Sequence, residues 1–528
     1  MRAVDNIIDA PGAIILGAGI AGLFTAIKLA PFPALVIASG RSGRSGSSVW
    51  AQGGIAAAVG VNDSPLFHAQ DTVAAAAGIG DPRIAEIVAR EAPQRIEDLL
   101  HLGVPFDCDS SGRVALAREA AHSHARIVHV LGDKAGAAIM ATLSRSAAVA
   151  PSITLAEGFN ALELAMQEDR VVGIFARDGT GANSRLVLFR APAIIFATGG
   201  VGALYAVTTN PLDSCGQGVG IAARAGAVLA DMEFVQFHPT AIHIGRDPSP
   251  LATEALRGEG AILVDEKGQR FMPAIHPAGE LAPRDVVARS IHREIARGGR
   301  IYLDCRDAIG EDFARRFPTV HAACMSVGID PARALIPIAP AAHYHMGGIA
   351  SDEHGRSSIG ALWCVGECAS TGLHGANRLA SNSLVEALVF GARVAEDVTN
   401  AIMSRANGAR TPDASSQTFS PPSALRRIMS SLVGVEREEA ELRTALVTIR
   451  KLERVSGADP AALNMLAAAK IMAAAALDRR ESIGAHFRRD YPQRGANPQR
   501  KFVTLQWAEQ LAAEYGHSHD IRHQRTLQ

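Results

Sequence analysis

Short apolar runs bounded by glycines recur along the chain and predict buried strands. The first, Ala13 to Leu16, lies between Gly12 and Gly17, and a helical stretch and a second apolar run, Ala34 to Ala38, follow it. Apolar runs without polar alternation are typical of parallel strands that are covered on both faces. The order strand, helix, strand therefore predicts a β-α-β unit at the beginning of the chain.

The same pattern returns later and is interrupted by a segment of different character. Apolar runs at Ala193 to Ala197 and Ala361 to Val365 predict two more buried strands, while His, Pro and charged residues rise between them. We interpret 231–340 as an inserted second domain between two parts of one α/β domain, 1–230 and 341–410. Helical spacing predicts a C-terminal helical domain at 423–528, after a linker at 411–422 that is rich in Ser, Pro and Thr.

Length indicates the number of domains, and charge limits the classes of binding partner. A chain of 528 residues is long enough for roughly three or four domains. The 52 Lys and Arg residues balance 53 Asp and Glu residues, so charge gives no support to a nucleic-acid or anionic-membrane surface. A small molecule is the expected partner. The six cysteines are scattered without a CxxC pair, which argues against a disulfide framework.

No targeting or membrane segment is predicted. The apolar run near the N-terminus lacks the basic start and long apolar core of a signal peptide. Lys28 and Arg224 interrupt the best candidates for a run of roughly 18 uncharged apolar residues, the length that a membrane span needs. We expect a soluble, cytoplasmic protein without membrane contact.

Three glycines follow the first predicted strand and form a candidate phosphate cradle. Gly17, Gly19 and Gly22 have the GxGxxG spacing, in which the glycines permit a tight turn, close approach of a pyrophosphate, and packing of helix on strand. The helix N-terminus adds free N–H groups. The second strand ends at Ala38 and Ser39 instead of the acidic residue that usually holds a ribose, which weakens an ordinary NAD interpretation. Ser39 remains a candidate hydrogen-bond donor.

Five further motifs, in order along the chain, resemble those of the succinate dehydrogenase/fumarate reductase flavoprotein family. Together they span nearly the whole chain. The motifs are SSVWAQGGIA at 47–56, FHPT at 237–240, PRDVVAR at 283–289, HYHMGG at 343–348 and GECASTGLHGANRLASNSL at 366–384.

The resemblance implies a Rossmann-like FAD-binding domain in two parts, an α+β capping domain inserted at 231–340, and a helical C-terminal domain. It also implies FAD as the cofactor. The residues that it and the glycine motif assign to cofactor binding are Gly17, Ala18, Gly19, Ile20, Gly22, Ser39, Ser47, Ser48, Ala51, Gln52, Gly53, Gly54, Gln217, Glu367, Ser383 and Leu384.

One position separates branches of the family. In the membrane-bound members a histidine five residues before the AQGG glutamine is bonded covalently to the flavin. This sequence has Ser47 there, as members that oxidise aspartate do. A serine cannot form a histidyl linkage, so the resemblance implies non-covalent FAD.

The segment LAREAAHSH at 116–124 also favours the aspartate-oxidising branch, whose pattern resembles REGGHSH. The resemblance matches Glu119 to the acidic residue near the substrate amino group, although a solvated helix or loop glutamate is the alternative. His122, His124 and His129 have no acidic or cysteine partner with ligand spacing, and no metal site is predicted.

Four residues are assigned to a dicarboxylate. A closed site must neutralise two negative charges without water, arginine binds carboxylate through a planar fork, and histidine donates a hydrogen bond. The resemblance assigns these roles to His238, Arg284, His343 and Arg378. In relatives that reduce fumarate, the arginine matching Arg284 is taken as a proton donor. Whether Arg284 acts as an acid or only orients substrate stays open.

The resemblance implies oxidation of L-aspartate to iminoaspartate, with oxygen or fumarate as the acceptor and iminoaspartate supplied to quinolinate synthase for NAD biosynthesis. The alternatives are a soluble fumarate reductase or succinate dehydrogenase flavoprotein subunit, and a flavin-binding carrier or sensor without catalysis. Two residues depart from the family pattern, Gln217 in place of aspartate and Ile483 in place of arginine. They predict altered cofactor affinity or domain contacts.

Overall fold

The computed structural model describes residues 4–179, 184–402, 421–457 and 459–525. The linker predicted at 411–422 lies, except for residues 421 and 422, outside this range. The strands are β1 (Asn6–Asp9), β2 (Ala13–Leu16), β3 (Ala34–Ala38), β4 (Ile55–Ala56), β5 (Leu116–Ala117), β6 (Ile127–Val128), β7 (Ile153–Glu157), β8 (Phe159–Gln167), β9 (Arg170–Asp178), β10 (Leu186–Arg190), β11 (Ala193–Phe196), β12 (Leu229–Ala230), β13 (Val235–Ile242), β14 (Ile262–Asp265), β15 (Ile301–Asp304), β16 (Ile336–His345), β17 (Gly348–Ala350), β18 (Leu362–Cys364), β19 (Ala369–Ser370) and β20 (Phe502–Val503). The α-helices are α1 (Ile20–Leu29), α2 (Ser47–Trp50), α3 (Pro65–Ala75), α4 (Pro82–His101), α5 (Ala135–Val149), α6 (Gln217–Arg224), α7 (Glu254–Gly258), α8 (Arg284–Ala296), α9 (Phe313–Arg316), α10 (Pro318–Met325), α11 (Asn382–Ile402), α12 (Ser423–Leu432), α13 (Glu439–Ser456), α14 (Pro460–Asp478) and α15 (Leu505–Arg525).

A five-stranded parallel sheet carries the glycine motif. Its strand order is β18-β11-β2-β3-β7, with every neighbouring pair parallel. Ile14 and Leu16 on β2 pack into one buried apolar cluster, whereas Ala13 and Ile15 pack into another on the opposite face. Both faces are therefore covered, as the continuous apolar runs predict. The predicted β-α-β unit is confirmed as β2, α1 and β3.

The inserted segment has a core of its own. Strands β13, β16, β15 and β14 form an antiparallel sheet, and α8 contacts β13, β15 and β16. Leu263, Val287, Ile291 and Phe313 belong to a buried apolar cluster separate from those of the parallel sheet. We call this region the cap. Strand β16 runs across residue 340, so the domain boundary placed there stays a prediction.

A buried carboxylate joins the part that contains the parallel sheet to the cap. Asp133, just before α5, accepts hydrogen bonds from Thr319 Oγ1 at 2.9 Å and from the backbone N–H groups of Thr319 and Val320 at 3.1 and 3.3 Å. These N–H groups lie in the first turn of α10, where they have no partner within the helix. Asp133, in the part that contains the parallel sheet, therefore provides the N-terminal hydrogen-bond acceptor for α10 of the cap.

The C-terminal helices are tied to the rest of the chain. Strand β20 pairs with β12, and Arg500 donates from Nε to the buried carboxylate of Asp231 at 2.6 Å. Within the predicted helical domain, α12 ends at Leu432 and α13 begins at Glu439.

One described helix is long and apolar enough to cross a membrane by length and composition alone, namely α14. Within it, 94% of the apolar window is buried inside the protein, where α14 contacts α6, α13 and α15. The ammonium group of Lys470 on this helix is paired with Glu453 at 2.6 Å.

Candidate active site

One large cavity runs between the parallel sheet, the cap and the N-terminal end of α14. Its volume is about 1310 Å³. All the residues assigned to cofactor binding line it except Gly22, and so do all five residues assigned to substrate. Residues that lie far apart in the sequence, such as Glu119, Arg284 and Arg378, therefore face the same cavity.

The glycine turn closes one wall of the cavity. A Cβ on Gly17, whose φ is +109°, would lie 2.2 Å from the Ala197 carbonyl oxygen. A Cβ on Gly22 would lie 1.9 Å from the Gly17 carbonyl oxygen. Gly22 is therefore required for packing of the helix on the turn, and its assignment to cofactor binding stays a prediction. Ser48 Oγ accepts a hydrogen bond from the Ile20 N–H at 3.1 Å, at the start of α1.

The polar groups that line the cavity fit FAD. Gln52 Oε1 and Thr198 Oγ1 are buried at its wall, and neither has a hydrogen-bond partner among the described protein groups. Buried polar atoms are normally paired, so a bound molecule with polar groups accounts for them. The Glu367 carboxyl lies close to the backbone of Gly200, since a Cβ on Gly200 would be only 2.1 Å from Glu367 Oε1. Burial raises the pKa of Glu367 to about 7.

Ser47 is the residue that decides how FAD would be attached. Its hydroxyl lies 2.8 Å from the hydroxyl of Ser214 and lines the cavity. Neither hydroxyl is the imidazole that a histidyl linkage needs.

We expect the flavin to separate from the chain on denaturation. Acid or heat precipitation of the holoprotein, followed by ultrafiltration, should place the yellow colour in the filtrate. Colour that stays with the precipitate would contradict non-covalent binding.

The two departures from the family pattern have structural partners. Gln217 Nε2 donates to the Ala461 carbonyl oxygen at 2.8 Å, and Gln217 Oε1 accepts from Asn464 at 3.0 Å. Its amide thus joins α6 to α14, while its cofactor contact stays a prediction. Ile483 is buried in a small apolar cluster with Phe234 and Tyr344. Both positions form contacts between domains.

Two guanidinium groups converge on one glutamine. Arg284 Nη1 donates to Gln236 Oε1 at 2.9 Å, and Arg378 Nη2 donates to the same oxygen at 3.2 Å. Burial and the nearby charge of Arg284 lower the pKa of Arg378 to about 10, so Arg378 remains charged at neutral pH. Gln236 was not identified from the sequence because it precedes the FHPT motif without any spacing that marks it.

The ring of Tyr344 packs against the guanidinium group of Arg378. The Arg378 guanidinium carbon lies 4.5 Å from the centre of the Tyr344 ring, a distance at which cation and ring attract. The Tyr344 hydroxyl lies 3.1 Å from His374 Nε2 and donates to Glu386 Oε2 at 3.2 Å. The arginine therefore rests on a ring that is itself held by buried polar groups.

The two candidate histidines lie side by side and are neutral. The His238 and His343 ring centres are 5.0 Å apart in an edge-to-face arrangement. Burial holds the pKa of both rings well below its ordinary value. The Thr240 N–H lies 3.3 Å from His238 Nδ1, which leaves the proton on Nε2. A neutral ring with this tautomer donates one hydrogen bond, as a carboxylate requires.

A buried glutamate and a buried arginine on α7, Glu254 and Arg257, were not identified from the sequence. Glu254 Oε2 accepts a hydrogen bond from Arg284 Nε and lies 3.7 Å from Arg257 Nη2. Against the effect of burial, Arg284 and Arg257 hold the pKa of Glu254 below its ordinary value. In the sequence, glutamate and arginine three positions apart on a helix resemble an exposed pair, and only the folded cap buries them.

Glu119 lies in the loop between β5 and β6 and lines the same cavity as the other candidate substrate residues. It is buried, and Ser381 Oγ donates to its Oε2 at 2.7 Å. Burial raises the pKa of Glu119, and the negative charge of Glu254 raises it further. An ammonium group placed beside Glu119 would favour its ionised form. Because the side chain is buried, Glu119 is not the solvated glutamate that was the alternative interpretation of the sequence.

The nearby histidines serve other contacts. His122 is buried, and its Nε2 lies 3.0 Å from the Ala380 carbonyl oxygen. The His124 ring stacks on Phe67 at 4.7 Å. Among the described residues, no group of three or more His, Cys, Asp or Glu side chains could hold a metal ion.

Ala121 is strained in the loop that carries Glu119. Its φ is +65°, in the left-handed region that costs a residue with a Cβ roughly 1–2 kcal/mol. The family pattern has glycine at this position. Ala121→Gly should therefore raise the stability by up to about 1 kcal/mol after the greater freedom of glycine in the unfolded chain is subtracted. Thermal or urea unfolding measures this change. Ala120→Gly is the matched control and should lower stability, so equal losses in both variants would contradict the strain.

Comparison with known proteins agrees with this geometry. Residues 12–384 match the family described as FAD binding domain, and residues 461–524 match the fumarate reductase flavoprotein C-terminal family. Quinol fumarate reductase FrdA of E. coli is similar in structure, with a TM-score of 0.83 and 28% identity over 94% of this chain and 95% of that one. The chain therefore belongs to the FAD-binding flavoproteins of the succinate dehydrogenase and fumarate reductase family.

Its sequence relatives define the branch. The chain is 50% identical over 508 residues to the L-aspartate oxidase of Caulobacter vibrioides, with 94% of this chain and 97% of that one covered. It is 39% identical to the L-aspartate oxidase of Bacillus subtilis, with 90% and 91% covered. These matches place it in the L-aspartate oxidase branch, and the family and fold class predicted from the sequence are confirmed.

Proposed function

We propose that this chain oxidises L-aspartate to iminoaspartate with non-covalently bound FAD, in the NAD biosynthetic route. The observation that carries the proposal is the buried carboxylate of Glu119 in one cavity with Arg284, Arg378, His238 and His343. Aspartate carries two carboxylates and one ammonium group, and this set of side chains has a partner of suitable charge or hydrogen bonding for each. FAD supplies the redox chemistry when bound, by accepting a hydride from the substrate α-carbon.

The protein groups orient the substrate and hold its protons. The guanidinium groups of Arg284 and Arg378 neutralise the carboxylates, and the neutral His238 ring, with His343 packed beside it, donates a hydrogen bond from Nε2. Glu119 accepts a hydrogen bond from the substrate ammonium and receives the proton that leaves the nitrogen as the imine forms. Closure of the cap over these groups excludes water, which strengthens each of these contacts.

The acceptor and the cellular setting are further parts of the proposal. Fumarate is a dicarboxylate with the same four-carbon skeleton and no amine, so the arginine and histidine set also suits it as an acceptor, alongside oxygen. We propose delivery of iminoaspartate to quinolinate synthase and a cytoplasmic location, without nucleic-acid or membrane partners.

Anaerobic reduction of the flavin tests the proposal. The holoprotein should lose its visible flavin absorbance with L-aspartate and should keep most of it with succinate at the same concentration. Rapid bleaching by succinate with none by aspartate would favour the dehydrogenase or fumarate reductase alternative. No bleaching with either dicarboxylate would favour a flavin-binding protein without this catalysis.

A further inference from the structure

A buried arginine outside the cavity is the centre of a polar cluster that the proposed chemistry does not use. Arg126 Nε and Nη2 donate to the two carboxylate oxygens of Asp63 at 2.8 and 2.9 Å, and Nη1 donates to Asp71 at 2.5 Å. The side chain is fully buried. Burial alone would lower the pKa of Arg126, but the hydrogen bonds that it donates to Asp63 and Asp71 raise it. The guanidinium is therefore charged and held in one orientation.

The same guanidinium determines the tautomer of His122. Arg126 Nη1 lies 3.2 Å from His122 Nδ1, and that nitrogen must accept because arginine has only donors. Burial lowers the pKa of His122, so the ring is neutral and carries its proton on Nε2. That nitrogen donates to the carbonyl oxygen of Ala380 at 3.0 Å.

His122 thereby joins the two segments that meet at the candidate ammonium site. Its backbone N–H donates to the Glu119 carbonyl oxygen at 3.3 Å on one segment. On the other segment, Ala380 directly precedes Ser381, whose hydroxyl donates to the Glu119 carboxylate. His122 therefore contacts the segment of Glu119 through its backbone N–H and the segment of Ser381 through its imidazole ring.

We propose that the Arg126–His122 pair is a positioning device that sets the preference of this site for an amino dicarboxylate over a dicarboxylate without an amine. This inference rests on the proposed function. A carboxylate favours an ammonium only when it is held at the ammonium position. Release of Ala380 from His122 would let Ser381 and Glu119 shift. Arg284 is held by Glu254 and Gln236, and Arg378 by Gln236 and Tyr344, so both arginines would keep their places.

Two substitutions at His122 separate its two contacts. Gln places a side-chain amide near the position of Nε2 and can still donate to Ala380, whereas Asn can accept from Arg126 but is too short to reach Ala380. We expect His122→Asn to lower kcat/KM for aspartate oxidation by about tenfold, mainly through KM. Fumarate reduction with a reduced dye as donor should change less than about threefold. His122→Gln should restore the ratio of the two kcat/KM values.

A second buried arginine–histidine–carbonyl connection provides a matched control. Arg437 Nη1 lies 2.9 Å from His486 Nδ1, and His486 Nε2 lies 3.2 Å from the Arg479 carbonyl oxygen. This ring is fully buried but has no contact with Glu119 or Ser381. His486→Asn should lower thermal stability and leave the ratio of aspartate to fumarate kcat/KM unchanged.

The outcomes are distinguishable. Equal losses with both substrates in His122→Asn, or a ratio that His122→Gln does not restore, would overturn the positioning role while the proposed function stands. If neither variant folds, Ser381→Ala tests the contact between Ser381 and Glu119, the last in this series of contacts. A ratio of aspartate to fumarate kcat/KM equal to that of the parent would overturn the inference. A parent protein that reduces fumarate without oxidising aspartate would overturn the proposed function and this inference together.

Discussion

Replacing Arg378 with leucine should lower kcat/KM for both aspartate oxidation and fumarate reduction by roughly 30-fold to several thousand-fold. Removal of one partner of a buried charged pair typically costs about 2–5 kcal/mol, which converts to this range of rates. Both substrates should suffer because both carry the carboxylates that this guanidinium faces. Steady-state kinetics with each substrate measure the loss.

Arg393→Leu is the control for loss of an arginine. Arg393 lies on α11 and donates to Glu91 at 2.6 Å, away from the cavity lining. It should leave both values within about threefold of the parent. An Arg378→Leu variant that also stays within threefold on both substrates would show that Arg378 lies outside the functional site.

Replacing Glu119 with glutamine should separate amine oxidation from dicarboxylate handling. Hydrogen bonds to charged groups contribute about 1.5–3 kcal/mol, so aspartate oxidation should slow by roughly 10- to 150-fold. Fumarate has no amine, and its reduction should be nearly unchanged or faster, since a negative charge facing a dianion is removed. Glutamine keeps the size of the side chain and its hydrogen bond with Ser381.

The fumarate reaction of the same variant is the internal control. Equal losses on the two substrates would mean that Glu119 supports the fold or the flavin, and the main reason for preferring aspartate would be lost. A loss confined to aspartate is the expected result.

The parts of the fold that the sequence predicts are those whose causes are local. Ala13 to Leu16 is apolar throughout because both faces of β2 are covered, and Gly17 and Gly22 are glycine because neighbouring carbonyl oxygens leave no space for a Cβ. Such causes leave a trace in a few adjacent residues. The family motifs added the substrate residues, which lie far apart in the sequence.

Residues whose environment is created by distant segments could not be predicted in this way. Glu254 and Arg257 have the spacing of an ordinary surface pair, yet the cap buries both beside Arg284. Ser381 reaches Glu119 across 262 positions, and no local pattern indicates that contact. The linker and the exact domain limits also stay predictions, because β16 is continuous across one limit and most of the linker lies outside the described range.

The wall that α14 contributes to the cavity has a consequence for biosynthesis. Asp459, Pro460 and Ala461 line the same space as the glycine turn at Gly17, and Gln217 is hydrogen-bonded to Ala461. A ribosome completes the glycine turn first and reaches this wall only near the end of translation. The parallel sheet can therefore form on the nascent chain before the cavity has all its sides. Stable capture of the flavin is thus an event of the finished polypeptide, and chains that terminate before α14 should leave the ribosome colourless.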